Sequence, residues 1–363
     1  MREGWEYKTI EKCTSIEYGT RVVQKRDGGT IYPVYGGGGE TFRMDRYNRE
    51  DSLIIARFAM SPRCVRYVAG KFFLNDSGLS VKSKEELEQA YLNYHLLFFN
   101  DVIYHLGKGA AQRNLDVKAF RQLVIAIPPK STQLSIVSEL DKLNELIRIK
   151  KEQLKDYDAL AQSIFYEMFG DPVENEKGWE VKKIGDVCKT SSGGTPSKAH
   201  DEYYNGDILW LRSGEVGQGD IYDTEQTITL LGLENSSAKI FPVNTVVIAM
   251  YGATVGQVGI LRKEMSTNQA ICGILPNGVL TPEYLNYFLL RMKSEFLKLA
   301  IGGAQANISQ QIIRKTLIPL PPLSLQKYFT CRIRQIEQQK AAIQKTITDL
   351  ETLLAARMQY WFD

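Results

Sequence analysis

The chain has 363 residues, 44% of them hydrophobic and 24% charged, which is the composition of a globular protein with two or more domains. This excludes a disordered or fibrous protein, and no apolar run reaches the roughly 20 residues that a membrane-spanning helix needs. The formal net charge of +3 is too small to require a polyanionic partner, so charge is considered segment by segment.

Cysteines and histidines show no metal-binding pattern. The five cysteines stand singly, without a Cys-x-x-Cys pair, which is typical of a reducing compartment. His95, His105 and His200 have no ligand spacing and are interpreted as hydrogen-bonded surface or core residues. Residues 1–4 lack the features of a signal peptide. These observations predict a cytoplasmic protein without a metal site and without a membrane partner.

The first predicted elements, in residues 1–128, are short strands broken by glycine-rich turns. Residues 52–58 form a β-branched apolar run, glycines fill residues 36–39, and a short helix is expected over residues 84–100. Basic residues outnumber acidic ones here by 19 to 15, and ten of them face only five acids between residues 21 and 71. We interpret this basic cluster as a phosphate-contacting surface; the alternative is a solvated arginine-rich face.

A long helix is predicted next, over residues 132–169. Pro128 and Pro129 precede it, Ser131 or Thr132 is the expected cap, and Gly170 ends it. Its apolar residues recur with heptad spacing, which indicates packing against another helix. At 1.5 Å per residue it would be about 57 Å long, more than the core of a small domain needs, so we interpret it as a spacer.

The second half of the chain repeats the first. The segment Gly4-Trp5-Glu6-x-Lys8-x-Ile10 returns after 174 residues as Gly178-Trp179-Glu180-x-Lys182-x-Ile184, and later matches are 193 residues apart, such as Tyr91-Leu92-Asn93-Tyr94 with Tyr284-Leu285-Asn286-Tyr287. The difference of 19 residues predicts a longer loop in the second copy, around residues 192–219.

The second copy carries the same predicted elements: a strand run at residues 245–251, a helix over residues 282–299, and a heptad helix after Pro321 and Pro322. The two long helices are predicted to pair antiparallel, with one lysine, Lys150 or Lys340, interrupting each seam. The alternative is that each helix packs on its own domain. The expected helix-pair interface consists of Leu140, Leu143, Ile147, Leu154, Tyr157, Ile164, Ile333, Ile336, Ile343, Ile347, Leu350 and Leu354.

These elements predict an α+β fold class, in which two duplicated α/β domains are separated by two long antiparallel coiled-coil helices about a pseudo-two-fold axis. The predicted boundaries are 1–128 for the first domain, 129–170 for the central helical spacer, 171–319 for the second domain and 320–363 for the C-terminal helical spacer.

No catalytic motif for nucleic-acid chemistry holds up in the sequence. It lacks a Gly-x-x-x-x-Gly-Lys-Ser/Thr phosphate loop, and its Pro-Pro pairs lack the flanks of an adenine-methyltransferase motif. Asp171, Glu180 and Lys182 mimic a metal-dependent nuclease array, but the first copy has Glu6 and Lys8 without an acid upstream. A strand is therefore the preferred interpretation, and we predict no catalytic residue and no metal ligand.

The order of domain, Pro-Pro pair, long helix and repeat resembles the specificity subunits of type I restriction-modification systems over the whole chain. The family usually has an acid and a Gln after the Pro-Pro pair; here Thr132-Gln133 and Leu325-Gln326 retain only the Gln. The family-like segments are Tyr32-Pro33-Val34-Tyr35-Gly36-Gly37, Gly178-Trp179-Glu180, Ser192-Gly193-Gly194-Thr195-Pro196, Ile208-Leu209-Trp210-Leu211, Thr267-Asn268-Gln269-Ala270, Asn307-Ile308 and Ile318-Pro319-Leu320-Pro321-Pro322.

This resemblance implies a non-catalytic DNA-binding subunit whose two target-recognition domains each read one half of a bipartite site in double-stranded DNA. The helices would set the spacing and dock methyltransferase subunits, two in number, and restriction subunits would join the full complex. S-adenosylmethionine, ATP and Mg²⁺ are expected on those partner subunits, with no cofactor on this chain. The competing hypothesis is a coiled-coil scaffold with duplicated protein-binding domains.

Candidates for DNA contact come from residue types that bind phosphates or base edges. The regions in which the copies differ most, residues 16–51 and 191–225, are favoured for base reading, because domains that read different half-sites should differ where they touch bases. The candidates are Lys25, Arg26, Tyr35, Arg43, Arg46, Arg57 and Arg63 in the first domain, and Ser192, Thr195, Lys198, Arg212, Ser213, Thr254, Gln305 and Asn307 in the second.

Overall fold

The computed structural model describes residues 2–109, 112–217, 219–299 and 307–363. The chain divides into two compact units: the first unit is Met1–Glu152 with Gln344–Asp363, and the second unit is Gln153–Ile343. Each unit holds one α+β domain and part of both long helices. The α+β content and the duplication are as predicted, whereas the division into four segments stays a prediction.

The first unit is built on a six-stranded sheet. Its strand order is β2-β7-β5-β6-β3-β4, with β3 parallel to β6, and β1 pairs separately with β10. The strands of this unit are β1 (Glu6–Thr9), β2 (Thr14–Tyr18), β3 (Tyr32–Tyr35), β4 (Glu40–Met44), β5 (Arg49–Ala56), β6 (Val65–Leu74), β7 (Gly78–Ser83), β8 (Gly107–Lys108), β9 (Asn114–Leu115) and β10 (Val124–Ile127). The apolar run predicted at residues 52–58 forms most of β5.

The short helices of the first unit are α1 (Ile10–Cys13), α2 (Gln24–Asp27), α3 (Gln89–Phe98), α4 (Asn100–His105) and α5 (Val117–Gln122). The helix predicted over residues 84–100 begins later, at Gln89, because Lys84 and Leu87 close a hydrogen-bonded turn before it. Tyr91, Leu92 and Leu96 of α3 are fully buried, and the helix packs on β6 and β7.

The second unit repeats this plan with its sheet divided in two. The sheets have the orders β12-β19-β16-β17-β14 and β15-β13-β18, and β11 pairs separately with β20. The strands are β11 (Glu180–Lys183), β12 (Thr190–Ser192), β13 (Tyr204–Leu211), β14 (Asp220–Ile221), β15 (Thr227–Ile228), β16 (Val246–Ala249), β17 (Val258–Leu261), β18 (Ser266–Thr267), β19 (Ile271–Ile274) and β20 (Leu317–Leu320).

The short helices of the second unit are α7 (Ile184–Val187), α8 (Leu230–Glu234), α9 (Pro282–Arg291), α10 (Lys293–Leu299) and α11 (Gln310–Lys315), and the two long helices are α6 (Lys130–Phe169) and α12 (Leu323–Phe362). Three short 3₁₀ turns lie at Asp201–Tyr203, Ser213–Glu215 and Gly252–Thr254. The helix predicted over residues 282–299 is divided at Met292, because α9 ends at Arg291 and α10 begins at Lys293. Thr281 caps α9 by accepting the N–H of Tyr284, and Pro282 occupies its first turn.

Most of the extra residues of the second copy lie later than predicted. Strands β3 and β13 are equivalent, because Tyr35 pairs in parallel with Leu74 and Leu211 pairs in parallel with Thr267, and Leu74 and Thr267 are 193 residues apart. Tyr35 and Leu211 are only 176 apart, so most of the insertion follows Leu211. It contains β14 and α8, so the predicted longer loop around residues 192–219 overlaps the insertion only from residue 212 onwards. A change in the spacing between matching residues of the two copies shows only where the sequences match again, and it does not show where the extra residues lie.

Helices α6 and α12 are each 40 residues long, which corresponds to about 60 Å. In the first unit Lys151 pairs with Glu351 at 2.7 Å, and Glu139 near the start of α6 binds Arg357 near the end of α12. In the second unit the carboxylate of Asp158 lies 2.8 Å from Lys340, and the ring of Phe165 lies 5.7 Å from that of Phe329. Within each unit the two helices therefore run antiparallel, and all twelve predicted interface residues are buried or half-buried.

An aromatic residue at the end of each long helix completes the core of a unit. Phe362 of α12 lies in the first unit, 5.4 Å from the ring of Tyr91, and Phe169 of α6 lies in the second, 4.7 Å from the ring of Tyr284. Both tyrosines are buried and donate their hydroxyl hydrogen to a strand carbonyl, that of Ala126 or of Pro319. Each α+β domain is thus closed by the helix of the other copy.

The start of each long helix is anchored by a buried glutamine. The side-chain amide of Gln133 donates to the carbonyls of Pro128 and Glu86, and its oxygen accepts the N–H of Glu88. Gln326 makes the equivalent three bonds, to Pro321, Val279 and Thr281. In α6 the first helical N–H groups bond to the carbonyl of Pro129, so the expected cap by Ser131 or Thr132 is wrong.

We expect Phe362→Ala to destabilise the first unit and Phe169→Ala the second, each by about 3–5 kcal/mol, because each leaves a cavity in a closed core. Hydrogen exchange read by mass spectrometry should show faster exchange in α3 for the first variant and in α9 for the second. Equal effects of either variant on both helices would contradict the assignment of each aromatic residue to one core.

His95 is buried in the first core without a hydrogen-bond partner on either ring nitrogen. It lies 4.6 Å from the ring of Phe99 and 4.9 Å from that of Phe362, and burial lowers its pKa to about 3. The interpretation as a hydrogen-bonded histidine is wrong for this residue, whereas His105 and His200 do have partners. The second copy has Phe288 in the same place, so His95 acts as an aromatic core residue.

This histidine predicts a pH dependence of stability. Its folded pKa lies below the unfolded value of about 6.5, so the first unit loses stability as pH falls from about 6.5 towards 3. His95→Phe should remove this loss and be more stable than the wild type by roughly 2 kcal/mol at pH 5. Urea unfolding at pH 7.5 and 5 measures it. Phe288→His is the matched control, and it should introduce the same dependence into the second unit.

Candidate nucleic-acid interface

In the first unit, several strands end together at one end of the main sheet. Tyr18 ends β2, Tyr35 ends β3 and Ala56 ends β5, while β7 begins at Gly78. Backbone hydrogen bonds join the segments beyond these ends: Gly19 to Gly78 at 3.0 Å, Asn75 to Tyr35 at 2.8 Å, and Arg57 to Ser77 at 2.8 Å. We call residues 18–20, 35–39, 57–59 and 75–77 the first sheet-end cluster.

Close packing explains two of the four glycines in the run of this cluster. A Cβ atom on Gly36 would lie 2.3 Å from the hydroxyl oxygen of Ser77, and one on Gly37 would lie 2.3 Å from the carbonyl oxygen of Phe58. The guanidinium of Arg66 donates to the carbonyls of Gly37 and Arg63. The run is therefore a bend held against its neighbours at Gly36 and Gly37, in agreement with the glycine-rich turn predicted there.

The seven candidates of the first unit fall into two groups. Tyr35 and Arg57 belong to the cluster, and Arg63 is linked to it through Arg66. Lys25 and Arg26 lie on α2 instead, and Arg43 lies on β4, which packs against α2. Arg46 follows β4, with its guanidinium 5.7 Å from the ring of Phe73. We call Lys25, Arg26, Arg43 and Arg46 the edge group.

The edge group carries exposed charges in weak local pairs. Arg26 lies 3.0 Å from Asp27 and lowers the pKa of that carboxyl group, and Arg43 lies 3.0 Å from Glu40. Exposed ion pairs between near neighbours in the sequence contribute little to stability, so these guanidinium groups can exchange a carboxylate for a phosphate at small cost.

The second unit has an equivalent set of strand ends. Ser192 ends β12, Leu211 ends β13, Ala249 ends β16 and Ile271 begins β19. The joining bonds are also equivalent, with the N–H of Asn268 donating to Leu211 at 2.9 Å. We call residues 192–195, 212–213, 250–254 and 268–270, with Asn307, the second sheet-end cluster.

Neutral polar groups dominate the second sheet-end cluster. The Thr195 hydroxyl donates to the side-chain oxygen of Gln269, the Ser192 hydroxyl donates to that of Gln310 at 3.2 Å, and Asn307 forms a β-bridge with Tyr251. Ser213 begins a 3₁₀ turn, and the Thr254 hydroxyl donates to the carbonyl of Tyr251. Lys198 lies in the exposed segment after β12, outside the cluster, and Gln305 lies outside the described residues.

The guanidinium of Arg212, a candidate for DNA contact, is bound by protein carboxylates. Its guanidinium lies 3.1 Å from Glu215 and also binds Glu225, within a capping box at the Ser213–Glu215 turn. Two carboxylates thus neutralise the cation, and DNA contact would have to displace one of them. The sequence analysis did not include Tyr251, Gln269 and Gln310 among the candidates for DNA contact. Of these three, only Gln269 could have been found from the sequence, because it lies in a family-like segment.

The residues considered for a nuclease site have structural partners. Glu180 pairs with Lys182 at 3.1 Å on β11, the strand expected there, and Asp171 accepts the N–H groups of Val173 and Glu174. Among the described residues, no three or more His, Cys, Asp or Glu side chains gather in a group that could hold a metal ion. In the same ranges, no helix is both long and apolar enough to cross a membrane.

The described residues thus form a duplicated α+β domain with two dissimilar sheet-end clusters, and two long helices contribute residues to both units. The family model described as "Type I restriction modification DNA specificity domain" matches residues 2–156 and 176–352. The chain therefore belongs to this family, as the sequence resemblance indicated.

Several members are similar to the chain. The MjaIX specificity subunit of Methanocaldococcus jannaschii is 32% identical over 186 residues, covering 48% of this chain and 43% of that protein. The EcoR124I/EcoR124II specificity subunit of Escherichia coli is 23% identical over 302 residues, covering 78% and 72%. The matched region spans less than half of the MjaIX subunit and of the Haemophilus influenzae HindI subunit, for which it is 41%.

Two solved structures share the fold. The type I restriction-modification S subunit from M. genitalium superposes with a TM-score of 0.59 at 15% identity, covering 99% of this chain and 96% of that one. A chain from a structure described as the basis of complex assembly and conformational transition of the type I R-M system gives 0.61 at 19% identity, covering 99% and 97%.

We predict that the edge group contributes to DNA affinity without regard to sequence. Arg43→Gln with Arg46→Gln should lower the slope of log affinity against log salt by about 0.9 for each phosphate that the protein no longer neutralises. Fluorescence anisotropy with duplex DNA over a salt series measures the slope. The control is Lys12→Gln with Lys118→Gln, which removes the same charge from exposed helical positions. Equal slopes for both double variants would contradict the prediction.

Proposed function

We propose that this chain is the non-catalytic specificity subunit of a type I restriction-modification complex, and that each unit reads one half of a bipartite site in double-stranded DNA. Family membership supports the general role. The observation that carries the bipartite reading is the pair of sheet-end clusters, which occupy equivalent strand ends but expose different side chains.

The chemistry of the two clusters supports two different half-sites. The first offers a guanidinium group and aromatic rings, from Arg57, Tyr18 and Phe58, whereas the second offers neutral donors and acceptors, such as Thr195 and Asn307. Side chains of both kinds read base edges, but they favour different bases. Two copies of one domain therefore yield two different readings.

The long helices support a role in setting the spacing. Each is a single 40-residue element that contributes residues to both units, α6 through Lys130–Phe169 and α12 through Leu323–Phe362. A continuous helix is stiff, so it converts two short readings into one site with a fixed gap. The coiled-coil spacer and its pseudo-two-fold arrangement belong to this proposal.

The partners belong to the same proposal. Two methyltransferase subunits would dock on the helical region and modify adenine with S-adenosylmethionine bound on their own chains, and restriction subunits would cleave DNA with ATP and Mg²⁺. The complex would act in the cytoplasm. A scaffold with duplicated protein-binding domains is the second candidate, and the exposed aromatic rings of Tyr18 and Phe58, which suit a binding surface of either kind, keep it open to test.

The test is the methylation pattern that the chain directs. Expressed with its methyltransferase subunits in a host that lacks adenine methylation, it should produce one gapped motif in long-read sequencing of N6-methyladenine. Thr195→Val, which removes one hydroxyl from the second cluster, should relax only one half of that motif. Ser294→Ala, on exposed α10, is the control and should leave it intact.

Three kinds of outcome would contradict the proposal. A continuous motif, or none, would rule out bipartite reading by this chain. A gapped motif whose two halves both change in Thr195→Val would show that the second cluster does not serve one half-site alone. Purification of a stable complex that binds DNA without selecting a sequence would favour the scaffold.

A further inference from the structure

Arg57 occupies an unusual position in the first sheet-end cluster. It directly follows β5 and is half-buried, with its guanidinium carbon 4.9 Å from the ring centroid of Tyr18 and 4.6 Å from that of Phe58. The two rings hold the cation through cation–π attraction and restrict its side-chain rotamers. The guanidinium plane is therefore positioned before any ligand arrives.

Among the described residues, no group accepts a hydrogen bond from the guanidinium of Arg57, and no carboxylate forms an ion pair with it. Its neighbours are different: Arg66 donates to Gly37 and Arg63, and Arg49 binds Ser80 and Glu17. A guanidinium carries five N–H donors, and aromatic faces supply charge attraction without an acceptor geometry.

A purely structural role does not account for this arrangement. The rings beside Arg57 remain 42% exposed for Tyr18 and 37% exposed for Phe58, so they do not close a core around it. An arginine that served packing alone would bury the rings, and one that served an ion pair would have a carboxylate beside it. What remains is a preorganised fork of donors at the surface that is proposed to face DNA.

The second unit lacks this feature at the equivalent position. Arg57 donates its backbone N–H to Ser77, and Met250, 193 residues later, donates its own to Ala270, the counterpart of Ser77. Met250 is 2% exposed and forms part of the core. The scaffold thus accepts either side chain, and the two copies differ at a place where two half-sites must be distinguished.

We infer that Arg57 reads a guanine in the half-site of the first unit, with its guanidinium donating to the O6 and N7 atoms of that base. Bidentate contact of this kind is the commonest specific contact of arginine in the major groove, and it requires a planar fork with both donors unused. The inference rests on the proposed function and deepens it, because it assigns one residue to one base type.

The experiment uses the full complex with its methyltransferase subunits and the methylation readout described above. Arg57→Lys keeps the charge and the ring contacts but loses the planar fork, and Arg57→Gln replaces the donor pair with an amide that suits adenine. Both variants should lower the preference for guanine at one position by about 10- to 100-fold. Arg57→Gln should also raise methylation of sites that carry adenine there.

Controls separate this inference from the proposed function. The half of the motif that changes in the Arg57 variants must contain guanine, and it must be the half that Thr195→Val leaves intact. Lys118→Gln, at an exposed position of α5, should change neither half of the motif. A wild-type motif without guanine in that half would overturn the inference while leaving bipartite reading in place. An unchanged base preference in both Arg57 variants would also overturn the inference. A uniform loss of methylation with an unaltered thermal unfolding midpoint would overturn it too, because that result indicates a phosphate contact. Absence of any gapped wild-type motif would overturn both proposals.

Discussion

The fold depends on an exchange of helix ends between the two copies of the repeat. The domain that precedes α6 does not receive the end of that helix; the Phe169 ring packs in the second unit, and the Phe362 ring of α12 packs in the first. Each core is incomplete without an aromatic residue from the other copy, and removing such a residue costs about 3–5 kcal/mol. Each copy of the repeat thus supplies a helix end to the hydrophobic core of the other copy's domain.

The repeat explains why so much of this architecture could be predicted. Residues that recur in both copies serve the shared scaffold: Tyr91 and Tyr284 bond to equivalent strands, and Gln133 and Gln326 anchor equivalent helix starts. Heptad spacing identified both long helices, since burial of an apolar stripe leaves a regular sequence signature. The two glutamines were seen only as a remnant of a family pattern, because a buried amide leaves no periodic signal.

The candidate site was less predictable, because its side chains are defined by what they meet in space. Composition identified the basic cluster but could not separate Arg57, whose guanidinium has no acceptor in the described part of the chain, from Arg66, whose donors hold a bend. It also could not show that Glu215 and Glu225 neutralise Arg212. The position of the insertion was missed for a related reason: only strand pairing shows which residues of the two copies are equivalent.

The division of the chain has a consequence for the order in which the protein folds during translation. The second unit is continuous in sequence, Gln153–Ile343, so all of its residues have been synthesised before Gln344 is added. The first unit begins earlier but needs Gln344–Asp363, and the Phe362 ring in particular, to close its core. Domains made first usually fold first on the ribosome. We expect the reverse order here, because the apolar face that Phe362 covers stays open until the last residues of the chain are made, and this is the interval in which the N-terminal domain is exposed to aggregation.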